Sequence, residues 1–342
     1  MTELASRAHS PMALAEMMAV IVRLCEAELL VPPEHVGQPL KPIGFASAAI
    51  HVAMLNDRQR TGHFLRAVRE TVKPGDVVVD LGTGTGVLAI AAAQAGARRV
   101  YAIEATGIAD AAEAMVAENG VADRVSIVRG WSTQVTLDEP ADVLVSETLG
   151  HDPWEEGFLH LVSDARRRLL RPDARVIPSH VRLFAQPVSV PESHREVLRF
   201  DAAHSARWRE WYDIDFSPLP AFNQKSSHVR LVRGRDTVDW PRPCPAVLVH
   251  EVDVQTSLAT PSTSDSDTVA RETGTVDGVL LYWQAQLAPG ICLSTEPRTK
   301  TSDTHWRARL VLAPQPCQVD KDQVVSLSMT FDRTPTLTIS VA

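Results

Sequence analysis

A chain of 342 residues, 44% hydrophobic and 22% charged, has the composition of a soluble globular protein and length enough for two domains of common size. Its formal net charge of -8 argues against a broad nucleic-acid footprint, which needs a basic stripe to neutralise phosphates, and is compatible with a cationic substrate. The four cysteines, Cys25, Cys244, Cys292 and Cys317, lie far apart without a CxxC pair, so neither a structural zinc site nor a disulfide framework is expected, and a reducing cytoplasm fits.

In chain order, the segment SPMALAEMMAVIVRLCEAELL comes first. Glu16, Arg23, Glu26 and Glu28 break any run long enough to cross a bilayer, so no membrane partner is expected. Residues 1–40 are read as a helical segment capped by Ser10, with Pro11 in its first turn. From about residue 75, the apolar runs VVVDL, RVYAIE, RVSIVR, DVLVSE and ARVIP alternate with helical patterns. Two of those helices, VLAIAAAQA and IADAAEAMVAEN, stop at Gly96 and Gly120, and FLHLVSDARRRLL follows the fourth run. Such alternation predicts parallel strands with crossover helices, an α/β domain over residues 41–180.

After Pro178 the texture changes to the short runs HVRLFAQPV, PAVLVHEVDV, GVLLYWQAQL and VVSLSMTF, which predict an antiparallel β domain over 181–342. A helical excursion at HREVLRFDAAHSARWREWYDIDF, within an insertion near 190–225, and the Ser/Thr/Asp-rich stretch SLATPSTSDSDTVARETG interrupt it; the second is predicted to be a solvated loop.

In VVVDLGTGTGVLAIAAAQAGA, Gly82, Gly84 and Gly86 fall between a strand and a helix, where bare backbone can approach a ligand. The dinucleotide fingerprint GxGxxG would need glycine at 87, which is Val87; this loop is GxGxG after Asp80. Glu104 ends the second strand, placed to accept hydrogen bonds from two ribose hydroxyls. Together these resemble a class I S-adenosylmethionine methyltransferase, in which Asp80, the three glycines and Glu104 would contact the cofactor, with NAD binding a smaller alternative and a tight turn beside a strand-end acid the bland one.

SETLGHDPWEEGFL resembles the double-glutamate loop of the protein arginine methyltransferase family, with Glu147 and Glu156 on its two acids. IHVAMLNDRQRT resembles the family's helix before the first strand, with Met54, Asp57 and Arg60 at functional positions, and Thr304, His305 and Trp306 form its THW loop. The resemblance implies a Rossmann-like class I methyltransferase domain followed by an antiparallel β-barrel-like domain with a dimerisation arm, hence a homodimer, using S-adenosylmethionine. It implies that Glu147 and Glu156 hold the substrate guanidinium, that Arg60 binds the cofactor carboxylate, that Asp57 and His305 pair between helix and β domain, and that Met54 limits room around the attacking nitrogen. Trp306 is read equally as a core aromatic and as a wall beside the guanidinium. On their own, Arg60 and Asp57 read as a local ion pair, His305 as a surface histidine and Met54 as core.

Two departures from the family stand out. Phe45 in KPIGFASAAIH replaces an expected lid tyrosine, and Thr133 in VRGWSTQVTL takes the place of the acid that contacts adenine. Among 34 basic residues only Lys41, Lys73, Lys225, Lys300 and Lys321 are lysines, which suggests a high-GC bacterial source. With the altered lid, this favours free L-arginine as substrate, in a natural-product pathway such as antibiotic biosynthesis, over an arginine-containing peptide. A methyltransferase for another small nucleophile and a non-catalytic scaffold are the rivals.

Overall fold

The computed structural model describes residues 47–198, 201–223, 228–256, 263–298, 304–330 and 336–341. The helix expected after Ser10 and the lid residue Phe45 lie outside them.

Among the described residues, two helices precede the first strand: α1 (Ala48–Asn56), capped by the Ser47 hydroxyl, and α2 (Arg58–Thr71). The sequence reads as one helix here, but the chain breaks at Asp57, whose carboxylate accepts the Arg60 N–H at 2.9 Å and caps α2. Then follow β1 (Val77–Leu81), α3 (Val87–Gln94), β2 (Arg99–Glu104), α4 (Ala109–Glu118), β3 (Val125–Arg129), β4 (Ala141–Ser146), α5 (Phe158–Arg168) and β5 (Leu170–Ile177). All neighbours in this sheet are parallel, in the order β3-β2-β1-β4-β5. Burial on both faces explains why VVVDL is apolar without alternation. The strand order reverses between β1 and β4, and the ends of those strands carry Gly82 on one side and Glu147 on the other. An open parallel sheet places its ligand crevice there.

The second half is antiparallel. A six-stranded sheet contains β6 (His180–Val188), β7 (His228–Val232), β8 (Val247–Asp253), β10 (Gly274–Ala288), β11 (Ile291–Ser294) and β12 (Ala308–Val319). A three-stranded sheet is made by β9 (Thr263–Val269), β13 (Val324–Thr330) and β14 (Thr336–Val341). One hydrophobic cluster joins the two halves: Phe64 and Leu144 belong to it, and so do Leu183, Trp283 and Trp306. Between β6 and β7 the chain makes the arm, with α6 (Glu192–Leu198) and α7 (Ala202–Tyr212). Its base is fixed by the fully buried Asp277, which accepts the Val190 N–H at 2.7 Å and an Arg195 N–H at 3.0 Å. Trp208 packs edge-on against Phe216 within the arm, whereas Trp211, Tyr212 and Ile214 are exposed.

The stretch read as a solvated loop contains β9. Its TSDSDTV has little apolar side-chain area to signal a strand, and the backbone ladder to β13 holds it. Strand β12 is also absent from the expected runs: Pro314 and Pro316 interrupt it, and its pairing with β10 skips from Cys317 to Leu312. No helix among the described residues is long and apolar enough to cross a membrane.

Candidate active site

The glycine turn after β1 is held from behind. Asp80, wholly buried, accepts the Thr83 hydroxyl at 2.5 Å, and burial pushes its carboxyl up to about 7 against that hydrogen bond. Asp80 therefore does not line the cavity at the strand ends, contrary to the expectation of a cofactor contact; it braces the turn. Gly82 and Gly84 do line the cavity, both at positive φ. A Cβ on Gly84 would stand 3.0 Å from the His51 ring, and one on Gly82 would stand 2.9 Å from Thr148 Cγ2, so bare backbone is required at both. Gly86 lies behind the cavity as the residue entering α3. Glu104 reaches the same cavity from β2, one carboxylate oxygen accepting the Gly84 N–H at 3.0 Å and the other the Thr106 N–H at 2.8 Å.

Thr133, expected at the adenine, also lies outside the cavity lining. Trp131 and Ser132 line the cavity; Thr133 does not, and its hydroxyl is buried without a hydrogen-bond partner. Register within this segment is set by Arg168, which donates to Ser132 O at 2.7 Å and Val135 O at 2.8 Å, long-range bonds that local sequence does not reveal. Bare glycine backbone, a strand-end carboxylate and the Arg60 guanidinium fit a nucleoside carrying an amino-acid tail. Replacing Glu104 by Ala should weaken the methyl donor and its demethylated product alike, by about tenfold to a hundredfold, because a ribose contact does not sense the methyl group. Calorimetry with both ligands checks this, and equal affinities for variant and parent would count against Glu104.

Opposite the glycine turn the cavity is lined by Met54, Arg60, Glu147, Glu155 and Glu156. The Glu147 side chain, only 6% exposed, forms an ion pair with the Arg60 guanidinium, which also donates to Met54 O at 3.3 Å. Burial lowers Arg60 to about 10, opposed by Asp57 and Glu156. Burial, helped by the neighbouring Glu155, pushes Glu156 up to about 7, with Arg60 pulling the other way. An activity that needs Glu156 ionised should therefore fall in kcat/KM as pH drops below about 7. The limb in kcat should lie at lower pH, because a bound cation favours the carboxylate. A pH profile of parent and Glu156→Gln measures it; a limb near 7 that survives in the variant belongs to another group.

Behind this wall stands Asp57. Its carboxylate accepts the Thr304 hydroxyl at 2.9 Å and the His305 backbone N–H and Nδ1–H, each at 3.1 Å. Burial raises its carboxyl, but the hydrogen bonds from His305, Arg60 and Thr304 more than offset this and hold it at about 2. Burial lowers His305, against its bond to Asp57. The pair expected between helix and β domain is thus formed, although neither partner lines the cavity. Trp306 is a core aromatic at 3% exposure, edge-on to Trp283, with the guanidinium of Arg60 5.9 Å from its ring centre.

The sequence reading missed His51 and Glu155 in the cavity wall. It also missed Trp283 and Arg309, which hold the double-glutamate loop from the β domain. The acid doublet at 155–156 offered a signal for Glu155; Trp283 offered none, being one aromatic in an apolar strand.

Residues 58–217 match the family model described as ribosomal protein L11 methyltransferase, and residues 196–338 match the arginine methyltransferase oligomerization subdomain. A probable protein arginine N-methyltransferase 6 of Arabidopsis thaliana is 30% identical over 336 residues, covering 84% of this chain and 74% of the relative. The protein arginine N-methyltransferase PRMT10 of Oryza sativa subsp. japonica is 32% identical over 308 residues, covering 82% and 80%. The crystal structure of Arabidopsis thaliana protein arginine methyltransferase 10 superposes with a TM-score of 0.73 at 25% identity, covering 87% of this chain and 94% of that one. With relatives this similar over most of their length, and with a glycine-lined cleft facing two glutamates, the chain belongs to the protein arginine N-methyltransferase family, S-adenosylmethionine-dependent enzymes of arginine methylation.

Proposed function

We propose that the protein methylates a guanidino nitrogen of arginine held in a protein or peptide, with Glu147 and Glu156 gripping the guanidinium. The observation that carries this reading is that both glutamates line the cavity that Gly82, Gly84 and Glu104 also line. A guanidinium has a pKa above about 12 and delocalised lone pairs, so it is a poor nucleophile. When bound, S-adenosylmethionine supplies an electrophilic methyl group on a cationic sulfur. Two buried carboxylates compensate the second cation brought beside it, fix the guanidinium plane with fork-shaped hydrogen bonds, and draw positive charge towards the nitrogens that do not attack. Arg60 binds the cofactor carboxylate, leaving Glu147 for the substrate, and Met54 narrows the space around the attacking nitrogen. The Asp57–His305 pair orients the wall and, through His305, offers a route for the departing proton.

Peptidyl arginine is favoured over free L-arginine by the relatives, which are named protein arginine N-methyltransferases. Those relatives are plant proteins, and they lend no support to a bacterial source or an antibiotic pathway. Free arginine rests on Phe45, outside the described residues. We also propose the division at residues 41–180 and 181–342, and a homodimer through the arm, in keeping with its exposed Trp211, Tyr212 and Ile214. The free thiols of Cys244, Cys292 and Cys317 suit a reducing cytoplasm. Mass spectrometry of the purified protein with S-adenosylmethionine and either an arginine-rich peptide or free L-arginine tests the substrate. Methylated peptide with little methylated free arginine is expected, and the reverse would overturn the peptide reading.

A further inference from the structure

Residues 148–157, which link the two glutamates, form neither helix nor strand. The backbone hydrogen bonds within this loop lie at its far end, from Glu155 N–H to Asp152 O at 3.0 Å and from Gly157 N–H to Trp154 O at 3.1 Å. The near end is held from the β domain, residue by residue. The Trp306 indole N–H donates to Leu149 O at 2.8 Å and the Trp283 indole N–H to Gly150 O at 3.2 Å. The Arg307 backbone N–H donates to His151 Nδ1 at 3.0 Å, and the Arg309 guanidinium to the Asp152 carboxylate at 3.1 Å.

Among these, Trp283 has the most rigid seat. It has no solvent exposure, and its ring lies edge-on to Trp306 with centres 4.7 Å apart. Its own backbone N–H and C=O are both tied to Thr295, at 2.9 Å each. The carbonyl it holds belongs to the tightest point of the loop. A Cβ on Gly150 would come within 2.9 Å of Glu155 Cβ and of Asp152 O, so Gly150 rests directly against the residue before Glu156. A shift of Gly150 is thereby passed to Glu155 and on to Glu156, while Glu147 stays fixed at the end of β4.

We propose that Trp283 is a positioning residue for the reaction: its indole N–H, by holding Gly150 O, sets the spacing of the Glu147 and Glu156 carboxylates across the guanidinium. This rests on the reading of those two glutamates as the guanidinium grip. Trp283→Phe keeps an aromatic ring against Trp306 but leaves a buried carbonyl without a donor, and the loop relaxes around it. Trp283 replaced by benzothienylalanine keeps the full ring shape and lacks only the N–H, so it serves should the phenylalanine variant fail to fold.

Either variant should lose about tenfold or more in kcat on an arginine-rich peptide, since misplacement on the ångström scale is costly to in-line transfer. The affinity for S-adenosylhomocysteine, measured by calorimetry, should stay within about twofold, because Trp283 is not among the residues of the cofactor cleft. A kcat within twofold of the parent in the benzothienylalanine protein overturns the proposal. So does a fall in cofactor affinity that matches the fall in kcat, which would mark a general loosening. A parent protein that methylates no arginine substrate, or whose turnover survives Glu147→Gln, brings down the grip and this proposal together. Inactive glutamate variants beside unimpaired Trp283 variants bring down this proposal alone.

Discussion

Glu147→Gln and Glu156→Gln should each lower turnover by about a hundredfold or more while cofactor affinity stays within about threefold. The asymmetry comes from what each carboxylate faces. In the proposed mechanism both compensate the cation that arrives with the substrate, so removing one leaves a guanidinium beside a sulfonium with half the negative charge. Glutamine is also the wrong fork: its amide N–H points at N–H donors where a second acceptor is needed. Cofactor binding does not suffer in the same way. Glu147 is the ion-pair partner of Arg60, and an Arg60 released from it is more available to the cofactor carboxylate, not less. Steady-state rates on an arginine-rich peptide, with calorimetry of S-adenosylhomocysteine, measure both halves. Near-parent turnover in either variant would sink the double-glutamate mechanism.

Asp57→Ala should damage stability and turnover together. Four donors converge on that carboxylate: the Arg60 N–H, the Thr304 hydroxyl, and the backbone N–H and Nδ1–H of His305. Losing a helix cap and leaving buried donors unsatisfied should cost about 3 to 5 kcal/mol, seen as a fall in the thermal midpoint. The pH dependence has a definite sign. A carboxyl held at about 2 in the folded protein, against an ordinary 3.8, contributes stability that is fully present above 3.8 and lost as pH falls through about 2. The variant should therefore show a shallower loss of stability between those two values than its parent. Turnover falls because the same carboxylate ties Thr304 and His305 to the junction of α1, which carries Met54, and α2, which carries Arg60. An Asp57→Ala protein with the parent's midpoint and kcat would show that these hydrogen bonds contribute little.

The first half of the molecule was legible because its strands are continuous apolar runs and its helices stop at glycines. VVVDL and RVYAIE were placed to the residue, since burial on both faces keeps their middles apolar and confines Asp80, Arg99 and Glu104 to positions at or near the strand ends. In the β domain the signal failed where side chains are not what holds a strand. β9 is a polar run sustained by its ladder to β13, and β12 is crossed by two prolines at a change of register. Within the site, the residues whose chemistry is borne by the side chain in the cavity, Arg60, Glu104, Glu147 and Glu156, could be named from sequence. Thr133 could not be placed correctly, because a neighbour displaced by one position turns the other way and the bonds from Arg168 decide which. Asp80 was read as a ligand contact because sequence gives its position at the strand end but not that its carboxylate faces Thr83.

The bonds from Asp57 to Thr304 and His305 join residues 247 and 248 positions apart. Among the described residues, those lining the cofactor cavity lie at or before Leu161, whereas the β-domain hydrogen-bond donors that hold the double-glutamate loop begin at Trp283. During synthesis, the cleft is therefore fully encoded in the emerging chain long before the residues that complete the acid wall have left the ribosome. A chain that has emerged only to about residue 161 contains the described cleft residues but not the β-domain donors that hold the acid loop. Contacts between residues so distant in sequence carry a high loop-closure cost, and the acid wall is complete only once the β domain has packed against the first half.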